Sequence, residues 1–177
     1  MDFNKHFIRC WVSNKPSFAI SIVTILMYMA SWQVMADEPD ISLCTEDEDI
    51  YFSCPLSDGK IVSVCASGNT EPSAGYVQYR YGTPDKIEMN YPEKMISPKQ
   101  HFFFVNASEG SVNKDIIKFK NGSYTYIIAQ SAVSSLSALR NDKVVLRKSC
   151  NEGSNAFVSR AARQGIESIP KSAEDFR

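Results

Sequence analysis

Histidine is scarce in this 177-residue chain, which has only two, and just one of them, His101, lies beyond the first forty residues. A serine or cysteine hydrolase would need His101 as its base, because no other side chain titrates naturally near neutrality in that role. The plainer reading of His101 is the entry to a strand, since Phe102-Phe103-Phe104 follows it. There is no GxSxG elbow, no HExxH helix and no glycine-rich phosphate loop, so the usual reasons to propose an enzyme are missing. Basic charge is not in excess either, with 19 Lys and Arg against 20 Asp and Glu. CxxC pairs are absent too: Cys44, Cys54 and Cys65 are spaced far too widely for a structural zinc site. No metal and no cofactor is expected.

What is present begins with a leader. A cationic stretch carrying Lys5, Arg9 and Lys15 precedes an apolar run from Phe18 to Met29 that only Ser21 and Thr24 interrupt, which is the order of a secretory signal. Val34-Met35-Ala36 then offers short side chains to a signal peptidase, so residues 1–36 are expected to be cleaved. The alternative is an uncleaved anchor, because the run to Ala36 approaches the roughly 20 apolar residues that cross a bilayer. The leader holds three of the basic residues and one of the acidic, leaving 16 against 19 in residues 37–177, a net charge of −3. That balance gives no grip on a phosphate backbone, and nucleic acid is not expected as a partner. Once the leader is removed, neither is a membrane.

Residues 37–177 have the length of one domain. Short runs of β-branched and aromatic residues recur about every ten positions between turn signals, as in an antiparallel meander. Ile50 to Leu56 and Ile61 to Ala66 read as a hairpin about a two-residue turn at Asp58-Gly59. Ile116 to Lys120 and Tyr124 to Ala129 read as another, turning at Asn121-Gly122. Tyr76 to Tyr81, Ile87 to Tyr91, His101 to Val105, Val133 to Leu139 and Lys143 to Lys148 complete nine strands, the last two joined at Asn141-Asp142. The expected fold is all-β, a barrel or sandwich of eight or nine strands, with a short helix near residues 154–164 capped by Ser154 or Asn155 and ended by Gly165.

Cys10 leaves with the leader, and the four remaining cysteines, Cys44, Cys54, Cys65 and Cys150, read as a disulfide framework in an exported chain. A two-residue loop at Asp58-Gly59 would place Cys54 and Cys65 diagonally on one face, roughly 7 to 8 Å apart at Cα, too far for a relaxed bridge. Each should then bond outside the hairpin, which pairs Cys44 with Cys54 and Cys65 with Cys150.

Three residues stand out as a candidate binding surface. On an extended strand Tyr76, Gln78 and Arg80 share one face while Val77, Tyr79 and Tyr81 share the other, and tyrosine and arginine favour interfaces. The competing reading is a sheet-face ladder in which Arg80 pairs with Glu88. The acidic run Glu46-Asp47-Glu48-Asp49 reads as a solvated segment, or as a weak calcium surface lacking turn glycines. Asn106-Ala107-Ser108 and Asn121-Gly122-Ser123 match the glycosylation sequon, the second already explained by its turn.

The segments Phe52-Ser53-Cys54, Gly59-Lys60-Ile61-Val62-Ser63-Val64-Cys65-Ala66-Ser67, Tyr76-Val77-Gln78-Tyr79-Arg80-Tyr81-Gly82 and Tyr91-Pro92 together resemble an uncharacterised family of small exported proteins of Gram-negative bacteria. The resemblance spans about Cys44 to Pro92, with a fainter echo in Asn121 to Tyr126 and Cys150. It implies a periplasmic or secreted setting and carries no activity or catalytic residue with it. The expected function is an exported, non-enzymatic binding protein, of inhibitor or immunity type, with an envelope protein as its partner. A periplasmic hydrolase using His101 or a carboxylate pair, and a structural envelope component, are the alternatives.

Overall fold

Three hairpin turns set the course of the chain, each with a residue at positive φ. The computed structural model describes residues 41–151 and 158–176; the expected leader over 1–36 and the expected helix caps Ser154 and Asn155 lie outside them. Asn141 and Asp142, with φ of 49° and 59°, form a two-residue loop of the I′ kind between β8 (Ser135–Arg140) and β9 (Lys143–Ser149). Between β6 (Asp115–Asn121) and β7 (Tyr124–Gln130) the loop is Gly122-Ser123, with Gly122 at φ 59°. The first hairpin joins β1 (Asp49–Pro55) to β2 (Ile61–Ala66), and here only Gly59 has positive φ. Leu56 N–H donates to Lys60 O at 2.7 Å, so the loop is the three residues Ser57-Asp58-Gly59, not two.

That one extra loop residue corrects the expected disulfides. It moves the register so that Cys54 lies opposite Val62 and Phe52 opposite Val64, and a bulge at Tyr51 then sets Ile50 opposite Cys65. Cys54 therefore shares the inward face with Val62, while Cys65 shares the opposite face with Ser53 and Ser63, since a one-residue slip exchanges the faces of a strand. The bridges are Cys44–Cys65 and Cys54–Cys150, so the expected pairing of Cys44 with Cys54 and of Cys65 with Cys150 is overturned.

β3 (Val77–Thr83) and β4 (Lys86–Tyr91) complete a four-stranded antiparallel sheet in the order β1-β2-β3-β4. β5 (Phe102–Asn106) opens a six-stranded sheet ordered β10-β5-β6-β7-β8-β9, where β10 (Glu167–Ser168) pairs in parallel with β5. The two sheets pack as a sandwich and do not close into a barrel. All nine expected strands are present, including the one at Ser135–Arg140, and β10 is an addition. Between the sheets lies a core rich in aromatic rings. Phe119 stacks on Tyr91 at 4.8 Å and on Tyr126 at 4.9 Å, with Tyr79 tilted against it at 4.9 Å, the separations that ring quadrupoles favour.

The bulge at Tyr51 turns both Tyr51 and Phe52 into this core. Burial pushes the Tyr51 phenol up to about 12, and its hydroxyl donates to Asn69 O at 3.0 Å. Against it sits α1 (Arg160–Gly165), shorter than expected because Ser159 is its cap, accepting from Ala162 N–H at 3.1 Å. Gly165 does end it, and its lack of a side chain is required: a Cβ would strike the Tyr51 hydroxyl and lie 2.9 Å from Asn69 O. After β10 a 3₁₀ turn, Ala173–Phe176, closes the described chain.

Candidate functional site

β3 brings Gln78 and Arg80 to the outward face of the four-stranded sheet, and that face is not open. Residues 41–48 lie across it, held by Leu43 N–H donating to Ser63 Oγ at 2.9 Å and by Ser53 Oγ donating to Ile41 O at 2.7 Å. Beneath this cover Arg80 grips Glu48 in a fork, NH1 to Oε2 at 2.6 Å and NH2 to Oε1 at 2.7 Å, with only 9% and 2% of the two side chains exposed. Arg80 NH1 also donates to Leu43 O and Nε to Gln78 Oε1, both at 2.9 Å. Gln78 Nε2 donates to Pro92 O at 2.8 Å, and the Tyr76 hydroxyl to Glu48 Oε1 at 2.8 Å. Of the three residues expected as a binding surface, Tyr76 and Arg80 thus converge on one buried carboxylate, and Gln78 braces the guanidinium.

The expected pairing of Arg80 with Glu88 is corrected by the same geometry. Arg80 sits opposite Asn90, and a bulge on β4 removes Glu88 from the ladder; Glu88 pairs with Lys60 at 2.6 Å instead. Of the acidic run, Glu48 is buried and not solvated. Burial alone would raise its pKa, but the Arg80 fork and the donors from Thr45 N–H and Tyr76 outweigh that and hold the carboxyl below its ordinary range.

Cys44, Glu48 and Cys65 bring three ligand-type atoms within 4.8 Å of one another. The two sulfurs are bonded to each other, so neither is the thiolate that a metal needs. His101 lies in the turn before β5, its backbone N–H donating to Pro98 O at 2.9 Å. Among the described residues no hydrogen bond joins its ring to a serine or a carboxylate.

On the six-stranded sheet the outward face carries a second cover, which sequence reasoning missed. Ile169 packs on Val105, Ile116, Ile127, Ala129 and Leu139. The chain beyond it brings Asp175 and Glu174 each within 2.9 Å of the buried Lys118 Nζ. Burial lowers the affinity of Lys118 for its proton, and the two carboxylates more than restore it. A cleft of about 390 Å³ lies beside α1, lined in part by Phe104, Asn106, Asp115, Gln130 and Arg163. Several of its polar groups already bond within the protein: Arg163 to Asp115, Asn106 Oδ1 from Ser108 N–H, and Gln130 Oε1 from Val158 N–H.

β9 contrasts with all of these. It is the last strand of its sheet, and Val144, Val145 and Leu146 in its middle are 40%, 55% and 36% exposed. The β1 edge is covered, by Asn151 N–H donating to Pro55 O at 2.9 Å and Ser159 N–H donating to Tyr51 O at 2.8 Å. Among the described residues β9 has a neighbour only on the β8 side. The alternation of residues 143–148 marks a strand, and nothing in it marks an open edge.

No family model, no curated protein and no solved structure matches this chain. The two disulfides accord with an oxidising, exported environment, and no helix among the described residues is long and apolar enough to cross a membrane.

Proposed function

We propose that this is an exported, non-enzymatic binding protein of the bacterial periplasm, which recognises an envelope protein in the manner of an inhibitor or immunity-type protein. The observation that carries the reading is β9, an edge strand that none of the described residues covers, with three consecutive exposed apolar side chains. Exposed apolar surface on a sheet edge costs solubility and invites pairing, so its retention is accounted for by a partner. Two disulfides brace the frame behind it, and a pre-ordered surface loses little entropy on binding.

The reading is tested in the producing cells by placing a photo-crosslinking side chain at Val145 and, as a control, at Ile87 on the β4 edge. The expected result is a discrete adduct from position 145 that position 87 does not give. Absence of that adduct would sink the proposal. So would turnover of a wall, lipid or peptide substrate by the purified protein that His101→Ala abolishes without unfolding it.

A further inference from the structure

β9 carries Lys143, Arg147 and Lys148 and no acid, on a domain that is acidic overall. Lys148 is engaged, reaching Asp58 and donating to the Tyr81 hydroxyl at 2.9 Å. Lys143 and Arg147 have no carboxylate partner among the described residues. The pairing with β8 sets Arg147 opposite Ser137 and Val144 opposite Leu139, and it sets Lys143 opposite Arg140 and Leu146 opposite Ala138. Residues opposite one another in a ladder share a face. Arg147 and Val144 therefore lie on the outward face with the Leu139 patch, whereas Lys143 and Leu146 lie on the other. The bulge at Val145 is what allows this, because it changes the alternation between Val144 and Leu146.

A strand laid against β9 would thus meet one unpaired cation on each face, near either end of a short apolar centre. We propose that β9 is the docking edge for an extended, acidic segment of a partner protein, which adds as a seventh strand and sets carboxylates beside Lys143 and Arg147 around an apolar middle. This deepens the recognition reading and rests on it. Main-chain hydrogen bonds along the edge would supply affinity, and side chains on the two faces selectivity. A second copy of this chain is the poorer occupant. Antiparallel pairing of β9 with itself about Val145 and Leu146 sets Lys143 opposite Lys148 twice and Arg147 beside both, and like charges directly opposed are unfavourable.

The probes are two synthetic peptides about ten residues long, each with a valine-rich centre, one flanked by glutamates and one by lysines, titrated by fluorescence anisotropy into the disulfide-intact protein. The glutamate-flanked peptide should bind at least about tenfold more tightly, and should weaken several-fold on raising salt from about 0.05 to 0.3 M. The double variant Lys143→Glu and Arg147→Glu changes only exposed side chains, and it should reverse the preference with an unchanged thermal transition. Equal binding of both peptides, or a preference unaffected by the double variant, would overturn the acidic assignment. An adduct from Val145 in cells would still uphold the recognition reading. If neither peptide binds while that adduct forms, strand addition is wrong and recognition stands. Concentration-dependent dimers of the wild-type protein, joined chain to chain by the crosslinker at Val145, would identify a second copy as the occupant and overturn the proposal.

Discussion

Each sheet of the sandwich hides its outward face under a length of chain that lies outside the main run of strands, and each cover is tied down by a buried cation holding a carboxylate. On the four-stranded sheet residues 41–48 bring Glu48 to Arg80; on the six-stranded sheet the C-terminal segment brings Asp175 and Glu174 to Lys118. The difference lies in what else holds them. The first cover is also bonded covalently, through Cys44–Cys65, and its arginine is a planar fork that satisfies both carboxylate oxygens. The second relies on a lysine, which meets its carboxylates as a point charge, and on the packing of Ile169. One solution to covering a sheet is locked and the other can open by local unfolding.

The largest effect should come from attacking the locked cover at its charge. Arg80→Ala leaves Glu48 buried without its partner and should cost about 3 to 5 kcal/mol, measured by chemical denaturation of the whole domain. Acid should expose the same dependence. Because the native pKa of Glu48 lies below its ordinary 4.5, the unfolded chain takes up the proton first. Its contribution is whole above that value and is lost as pH falls toward the native pKa, so the thermal midpoint of wild type should drop there more steeply than that of Glu48→Gln.

Replacing Cys44 and Cys65 together by alanine opens a loop of sequence separation 21 and should cost about 3 kcal/mol on the chain-entropy view. The variant should stay folded, with faster hydrogen exchange confined to residues 41–48. Should exchange rise equally across β1 to β4, the bridge serves the whole sheet and the comparison fails. Lys118→Ala should cost less, about 1 to 3 kcal/mol, because the released segment can carry its carboxylates into water. Exchange should accelerate over residues 167–176 and hardly at all in β6 and β7. Smallest of all, Lys143→Glu with Arg147→Glu should change stability by less than about 0.5 kcal/mol, since neither side chain is tied to the frame.

The strands and their order were legible because turns are local. Asn141-Asp142 and Gly122 take positive φ on their own account, and the runs between them alternate. The disulfide pairing was not, because Asp58-Gly59 serves a two-residue or a three-residue loop equally well and the choice decides which face Cys54 and Cys65 occupy. The Glu48–Arg80 pair joins positions 32 residues apart, and in the sequence Glu48 is hidden among three other acids. The small Ser53 and Ser63, which bond each other at 3.0 Å beneath the cover, were the available clue. The open edge of β9 was illegible for a different reason: edge position is a property of sheet order, and six residues of alternating pattern contain no record of it.

The Cys54–Cys150 bridge, with a sequence separation of 96, encloses every strand from β2 to β9 in one covalent ring, outside which lie residues 41–48 with the leading part of β1 and, beyond the bridge, α1, β10 and the C-terminal cover. A protease that cuts any hairpin turn within it, Asn141-Asp142 for example, opens the ring and releases no fragment. The severed ends stay tethered beside their ladder partners. A chain nicked once in this ring therefore stays a single covalent body, and the damage would show only on a reducing gel.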